Sequence, residues 1–164
     1  MGSSGTQGRK NEYCSQGGLW SDWKHKGGIL QIPTWVFMCD DFKTLNNASV
    51  RVLIALLCQY NGANNGDLSA TKAEMIKHGI RSSDTINRSV KELIEHGFIV
   101  KTRNGYAGVD GRRMCSLYAL TWLRVDDIGI KSGDKWIPTV KGTKRALRLD
   151  FSGPYDGSIQ YEAA

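Results

Sequence analysis

Apolar positions change their spacing several times along the chain, and each spacing selects a different element. From Val50 to Cys58 they are nearly continuous: Val50, Val52, Leu53, Ile54, Leu56 and Leu57 are apolar and only Arg51 is charged. With Asn46 or Asn47 as the capping residue, this predicts a helix reaching about Tyr60 and buried on almost every side. Tyr60-Asn-Gly-Ala-Asn-Asn-Gly-Asp67 is turn chemistry from end to end, and Leu68-Ser69 reads as a short strand leaving it. Thr71 to His78 predicts a short helix capped near Ser69 or Ala70, with Ala73, Met75 and Ile76 facing inward and Gly79 as its terminator. Ile80 then plugs a turn and Ser82 or Ser83 caps a further helix. In that helix Ile86, Val90, Leu93 and Ile94 fall at i, i+4, i+7 and i+8, one apolar stripe that ends at His96-Gly97.

The period then shortens to two. Phe98 to Arg103 is β-prone, and Met114 to Trp122 alternates well enough to pair with it across the Gly-rich loop Asn104–Arg112. Upstream, Ile29-Leu-Gln-Ile32 reads as a short strand stopped by Pro33, and Trp35, Val36, Phe37, Met38 and Phe42 form an apolar lead-in to the long helix. The first 28 residues are polar and Gly-rich and read as an irregular arm, with Leu19, Trp20 and Trp23 expected to dock on the domain. Beyond Arg124 glycines punctuate short apolar pieces, of which Trp136-Ile-Pro138 and Ala146-Leu-Arg-Leu149 are expected to pack; no fold is assigned to this tail. The fold class is α+β, with three helices and a β-hairpin in the order of a winged helix-turn-helix. The domain assignment is an arm over 1–28, a winged-helix domain over 29–124 and an extension over 125–164.

Charge narrows the partners. The 164 residues carry 22 Lys and Arg against 16 Asp and Glu, net +6, and residues 47–123 hold ten of those cations against six acids, net +4. An excess concentrated on the helical region favours an anionic partner, nucleic acid before membrane. No apolar run approaches the roughly 18 to 20 residues needed to cross a bilayer, and no signal-peptide core is evident, so a cytoplasmic protein with no membrane partner is expected. Cys14, Cys39, Cys58 and Cys115 are scattered without C-x-x-C or zinc-finger spacing; they read as reduced thiols, with Cys58 as a small hydrophobe in its helix. No metal and no cofactor are expected.

The stripe of the helix that ends at His96-Gly97 fixes which of its residues remain available. With Ile86 inward, steps of about 100° place Asp84, Arg88 and Lys91 on the opposite face, flanked by Thr85 and Asn87. An arginine can fork onto guanine, an asparagine can pair with adenine, and the backbone N–H groups at Ser82–Thr85 add a positive helix end that favours a phosphate. Asp84 counts against this, because a carboxylate repels phosphate. Thr71 and Lys72, at the start of the preceding helix, join the candidate DNA-contact set, since the first helix of such a pair crosses the backbone. Lys101, Arg103, Arg112 and Arg113 cluster at the ends of the hairpin loop with Tyr106 at its tip, four cations to the single acid Asp110, as a phosphate-contacting wing would need.

Residues 29–124 resemble winged-helix proteins of phages, plasmids and integrated elements, including the N-terminal domains of replication initiators. The resemblance rests on Ser49–Tyr60, the turn over 60–66, Leu68-Ser-Ala-Thr71, the run Ser83-Asp-Thr-Ile-Asn-Arg-Ser-Val-Lys-Glu-Leu93, His96-Gly-Phe-Ile99 and Leu120-Thr-Trp122. It implies double-stranded DNA binding through Ser83, Thr85, Asn87, Arg88 and Lys91, together with Arg103, Arg112 and Arg113, in replication initiation or transcription regulation. A protein-interaction module blocking a host machine, such as an anti-CRISPR protein with a host complex as partner, is the rival; RNA binding is a weaker third. A palindromic target would require a homodimer, for which no dimer helix is evident. Catalysis finds no support: His25, His78 and His96 lie in separate segments, and no nucleophile-elbow, zincin or Walker motif occurs. Trp20, Trp23, Trp35, Trp122 and Trp136 read as core anchors rather than base-stacking platforms, with either role open to Trp20 and Trp23 on the arm.

Overall fold

Asn46 turns the apolar run behind it into a helix: its side-chain oxygen accepts from the Ser49 amide at 2.9 Å, and Asn47–Gln59 follow as α3. The computed structural model describes residues 30–107, 113–132 and 135–161, with the side chains of 107 and 130–138 outside that description. The expected arm over 1–28 with Leu19, Trp20, Trp23 and His25, the residue Ile29, the thiol of Cys14, the loop residues Asp110 and Arg112, and the side chain of Trp136 therefore lie outside the described residues. Among the described residues two short helices precede α3, α1 (Thr34–Phe37) and α2 (Asp40–Thr44), and two follow it, α4 (Lys72–Lys77) and α5 (Ser83–Glu95). The strands are β1 (Ile99–Arg103), β2 (Tyr106–Ala107), β3 (Arg113–Met114), β4 (Leu117–Leu120), β5 (Ile128–Ser132) and β6 (Lys135–Val140). They pair antiparallel as β1 with β4, β2 with β3 and β5 with β6, which makes the fold α+β.

The main core gathers one face of each helix against one face of the β1–β4 pair. Val52, Leu53 and Leu56 of α3, Met75 of α4, and Ile86, Val90 and Leu93 of α5 close on Phe98, Ile99, Tyr118 and Leu120. Ile80 is buried and fills the α4–α5 turn, where Gly79 takes φ +80. Gly97 ends α5 at φ +67, and a β-carbon there would lie 2.7 Å from the Tyr155 ring, so both backbone and neighbour require glycine. Glu92 locks α5 to the start of α3, accepting from the Asn46 backbone and side chain and from the buried Ser49 hydroxyl.

Several expectations are corrected. Residues 30–32 form no strand; Pro33, at φ −58 and ψ 136, is the N-cap of α1. The lead-in is two helical turns, and of its apolar residues only Val36 is buried, while Trp35 and Met38 are 48% and 57% exposed. The cap of α4 is Thr71, whose Oγ1 accepts from Glu74 N, rather than Ser69 or Ala70. Of its three expected inward residues only Met75 is buried; Ala73 is exposed and Ile76 is 47% exposed, because six residues give one short face and Met75 occupies it. Cys58 is exposed instead of packed. Leu68 makes an isolated bridge to Tyr118, and the second strand is broken into β3 and β4.

The segment after Trp122 packs on the other face of β1–β4. Val125 and Val140 are buried against Leu117 and Ala119, with Val100, Ile128 and Leu147 beside them, so β4 is buried on both faces. Asn65, wholly buried, replaces a strand partner for β4: its amide nitrogen donates to the Leu120 and Arg124 carbonyls and its oxygen accepts from Leu120 N at 2.7 Å. Farther on, Phe151 enters the main core among Trp35, Phe98 and Trp122, whereas Leu149, expected to pack, is 71% exposed. Arg148 is buried instead. It donates to Asp41 at 2.9 Å and to the His96 carbonyl at 2.7 Å, while Asp41 also meets His96 Nδ1 at 3.2 Å and accepts from Tyr155 N. Burial raises the Asp41 carboxyl, but the hydrogen bonds and charges of Arg148 and His96 outweigh it and hold the group below its ordinary value.

Candidate nucleic-acid interface

Helix α5 is long enough to present three distinct sectors, and its buried stripe decides them. Ile86, Ser89, Val90 and Leu93 face the core. Asp84, Arg88 and Lys91 are exposed on the far side, with Lys91 3.5 Å from Glu95 one turn on. Among the described residues Arg88 makes no ion pair, so its fork of donors stays available. Asp84 sits in the first turn, where a carboxylate complements the positive end of the helix. Ser82 is the N-cap, its Oγ accepting from Thr85 N at 3.3 Å.

Two clefts flank the N-terminal part of α5. On the hairpin side a cleft of about 350 Å³ brings together Thr71, Lys72, Ser83 and Asn87 with Cys115, Ser116 and Tyr118. Burial pushes the Tyr118 phenol above its ordinary value, so that side chain stays uncharged near neutrality. On the α3 side a larger cleft, about 510 Å³, is lined by Ser82 and Thr85 with Asn47, Arg51, Gly79 and Arg81. Arg51 and Arg81 were not singled out from the sequence. The available signal was that Arg51 is the one charged residue of α3 and must therefore mark its solvent side.

The hairpin residues are placed less uniformly. Tyr106 and Arg113 are exposed on β2 and β3 and Lys101 is exposed on β1, but none of them lines either cleft. Arg103 is half-buried and turned back on its own hairpin, where Nη2 donates to the Cys115 carbonyl at 3.3 Å and Nε has no partner among the described residues. A register shift between Lys101 and Arg103 accompanies that turn. His78 and His96 are the C-caps of α4 and α5, as their helix-end positions suggested. No cluster of His, Cys, Asp or Glu among the described residues could hold a metal ion, and no described helix is long and apolar enough to cross a membrane. Comparison with known proteins finds no matching family model, no matching curated protein and no matching solved structure.

Proposed function

We propose that this chain is a winged helix-turn-helix protein that binds double-stranded DNA without catalysing a reaction. In this reading α3, α4 and α5 form the three-helix unit, α5 enters the major groove, and the hairpin from β1 to β4 is the wing. The observation that carries it is the surface of α5: an outward face of Asp84, Arg88 and Lys91, bounded on both sides by clefts whose lining residues include Lys72, Arg51 and Arg81 but no carboxylate. Ser83, Thr85 and Asn87 supply hydroxyl and amide groups along the edges of that face, and Thr71, Ser82, Tyr106, Arg112 and Arg113 add backbone contacts. Phosphate contacts provide affinity and base-edge contacts by Asn87, Arg88 and Lys91 provide selectivity. The resemblance noted above assigns the role to replication initiation or transcription regulation in the cytoplasm, in a phage or mobile element.

Fluorescence anisotropy with a random duplex of about 25 base pairs, titrated from low to physiological salt, tests the reading. Log K should fall linearly against log salt with a slope set by the number of phosphates engaged. No binding even at low salt removes it. On a cognate site, Arg88→Ala should lower affinity by roughly 1 to 3 kcal/mol, and an unchanged isotherm would take α5 out of the recognition role.

A second reading, a protein-interaction module acting on a host complex, is favoured by one observation. Trp35, Phe37, Met38 and Leu149 are all large, apolar and exposed, and exposed apolar clusters commonly mark protein contacts. Retention of a host complex by the chain with no DNA bound at physiological salt would favour this reading over the first.

A further inference from the structure

The α3-side cleft differs from the hairpin-side cleft in its charge. Arg51 comes from the second turn of α3 and Arg81 from the α4–α5 turn, and both line the same opening as Asn47, Ser82 and Thr85. Arg51 lies across that turn: its Nη1 is 3.8 Å from where a β-carbon on Gly79 would stand. Among the described residues neither arginine pairs with a carboxylate. The nearby Glu92 is committed to Asn46 and Ser49. Two arginines lining one cleft, with two hydroxyls and an amide and no acid, make a site whose complement is a phosphate oxygen set, since the planar fork of arginine matches phosphate bidentately.

The placement of the cleft selects the source of that phosphate. Successive residues of α5 turn by about 100°, which puts Thr85 on the opposite flank of the outward face from Ser83 and Asn87. The two clefts thus stand on either side of Asp84, Arg88 and Lys91. A helix in a major groove, about 12 Å wide, has one phosphate backbone on each side. We propose that Arg51 and Arg81 form a clamp on the backbone of one strand, while Lys72, Ser83 and the hairpin hold the other. The inference rests on the DNA-binding reading and adds to it a second strand contact made by α3 together with the turn of the helix pair.

The test is the salt dependence of duplex binding by the full chain, wild type against Arg51→Gln/Arg81→Gln, which keeps two polar side chains and removes both charges. The slope of log K against log salt should fall by about two, near 0.9 for each lost phosphate contact, and affinity at fixed low salt should drop about tenfold for every duplex alike. The preference for one sequence over another should not change, and Arg51→Lys/Arg81→Lys should restore most of the slope. If the wild type binds and the double variant keeps the wild-type slope, the clamp is wrong and the DNA-binding reading stands. If the wild type binds no duplex at any salt, both fall. Saturable binding of inorganic phosphate in the cleft, followed by NMR shifts of the Ser82 and Thr85 resonances and lost in the double variant, with no loss of duplex slope, would assign the cleft to a free anion and overturn the clamp.

Discussion

On one face of the β1–β4 pair, Ile99, Tyr118 and Leu120 meet the helices; on the other, Val100, Leu117 and Ala119 meet Val125 and Val140 with Ile128, Leu147 and Tyr161 beside them. The helical side is held by repeated apolar contacts, each modest and each supported by neighbours on the same stripe. The opposite side has four fully packed apolar residues, and the segment after Trp122 that supplies two of them is fastened to the rest of the chain by a few polar contacts of long sequence separation: Asn65 to β4 and Arg124, Asp126 to Asn65, and Arg148 to Asp41. A core built from a stripe degrades gradually when one residue is lost. A segment fastened by single buried polar groups loses its attachment at once, because the partner left behind is buried and unsatisfied.

The largest expected effect follows from that difference. Asp41→Ala strands the buried Arg148 guanidinium and should cost about 3 to 5 kcal/mol in chemical denaturation. A single cooperative transition at lower denaturant would show that the 125–161 segment unfolds with the helices, whereas an added early transition would separate the two sides. Asn65→Ala removes both the donor and the acceptor facing Leu120 and should cost about 1 to 3 kcal/mol, measured the same way.

Acid probes the Asp41 contact with less disruption. Because its folded carboxyl lies below the ordinary value of 3.8, its contribution is fully present above that pH and is lost as pH falls through the folded value. Thermal melts should therefore show stability falling below about pH 4, and the fall should be shallower in Arg148→Met, which lacks the main donor. At the bottom of the scale, Ile76→Ala on the exposed side of α4 should stay within about 0.5 kcal/mol of wild type, against a buried stripe residue such as Leu93, where about 2 to 5 is expected.

The same contrast explains what could be read in the chain. The extents of α3 and α5, the Gly79 turn and the His96-Gly97 stop were legible because helical period, cap and terminator agree at each of them. The set Asp84, Asn87, Arg88 and Lys91 was legible as the complement of a buried stripe. Pro33 misled because its fixed φ suits a helix start as well as a strand stop, and α4 misled because three apolar residues in six cannot all share one face. The tail was opaque: its attachment depends on Arg148, Asn65 and Asp41, polar residues whose burial comes from partners 55 to 107 positions away. Arg51 and Arg81 were missed for the same reason, since a turn in space and not a sequence spacing brings them together.

The partners of β4 also limit how this protein can meet copies of itself. Tyr118 exchanges both backbone hydrogen bonds with Leu68, and Leu120 exchanges both with the side chain of Asn65. Those are the groups that a strand from another molecule would need in order to extend the sheet past β4. An open strand edge is a template for aggregation and for dimers made by sheet continuation. Here one residue of a turn and one amide side chain occupy it, at the width of a single bridge each. A second copy can add to that edge only after displacing a fully buried asparagine and the Leu68 bridge, so continuation of the sheet past β4 first requires local unfolding.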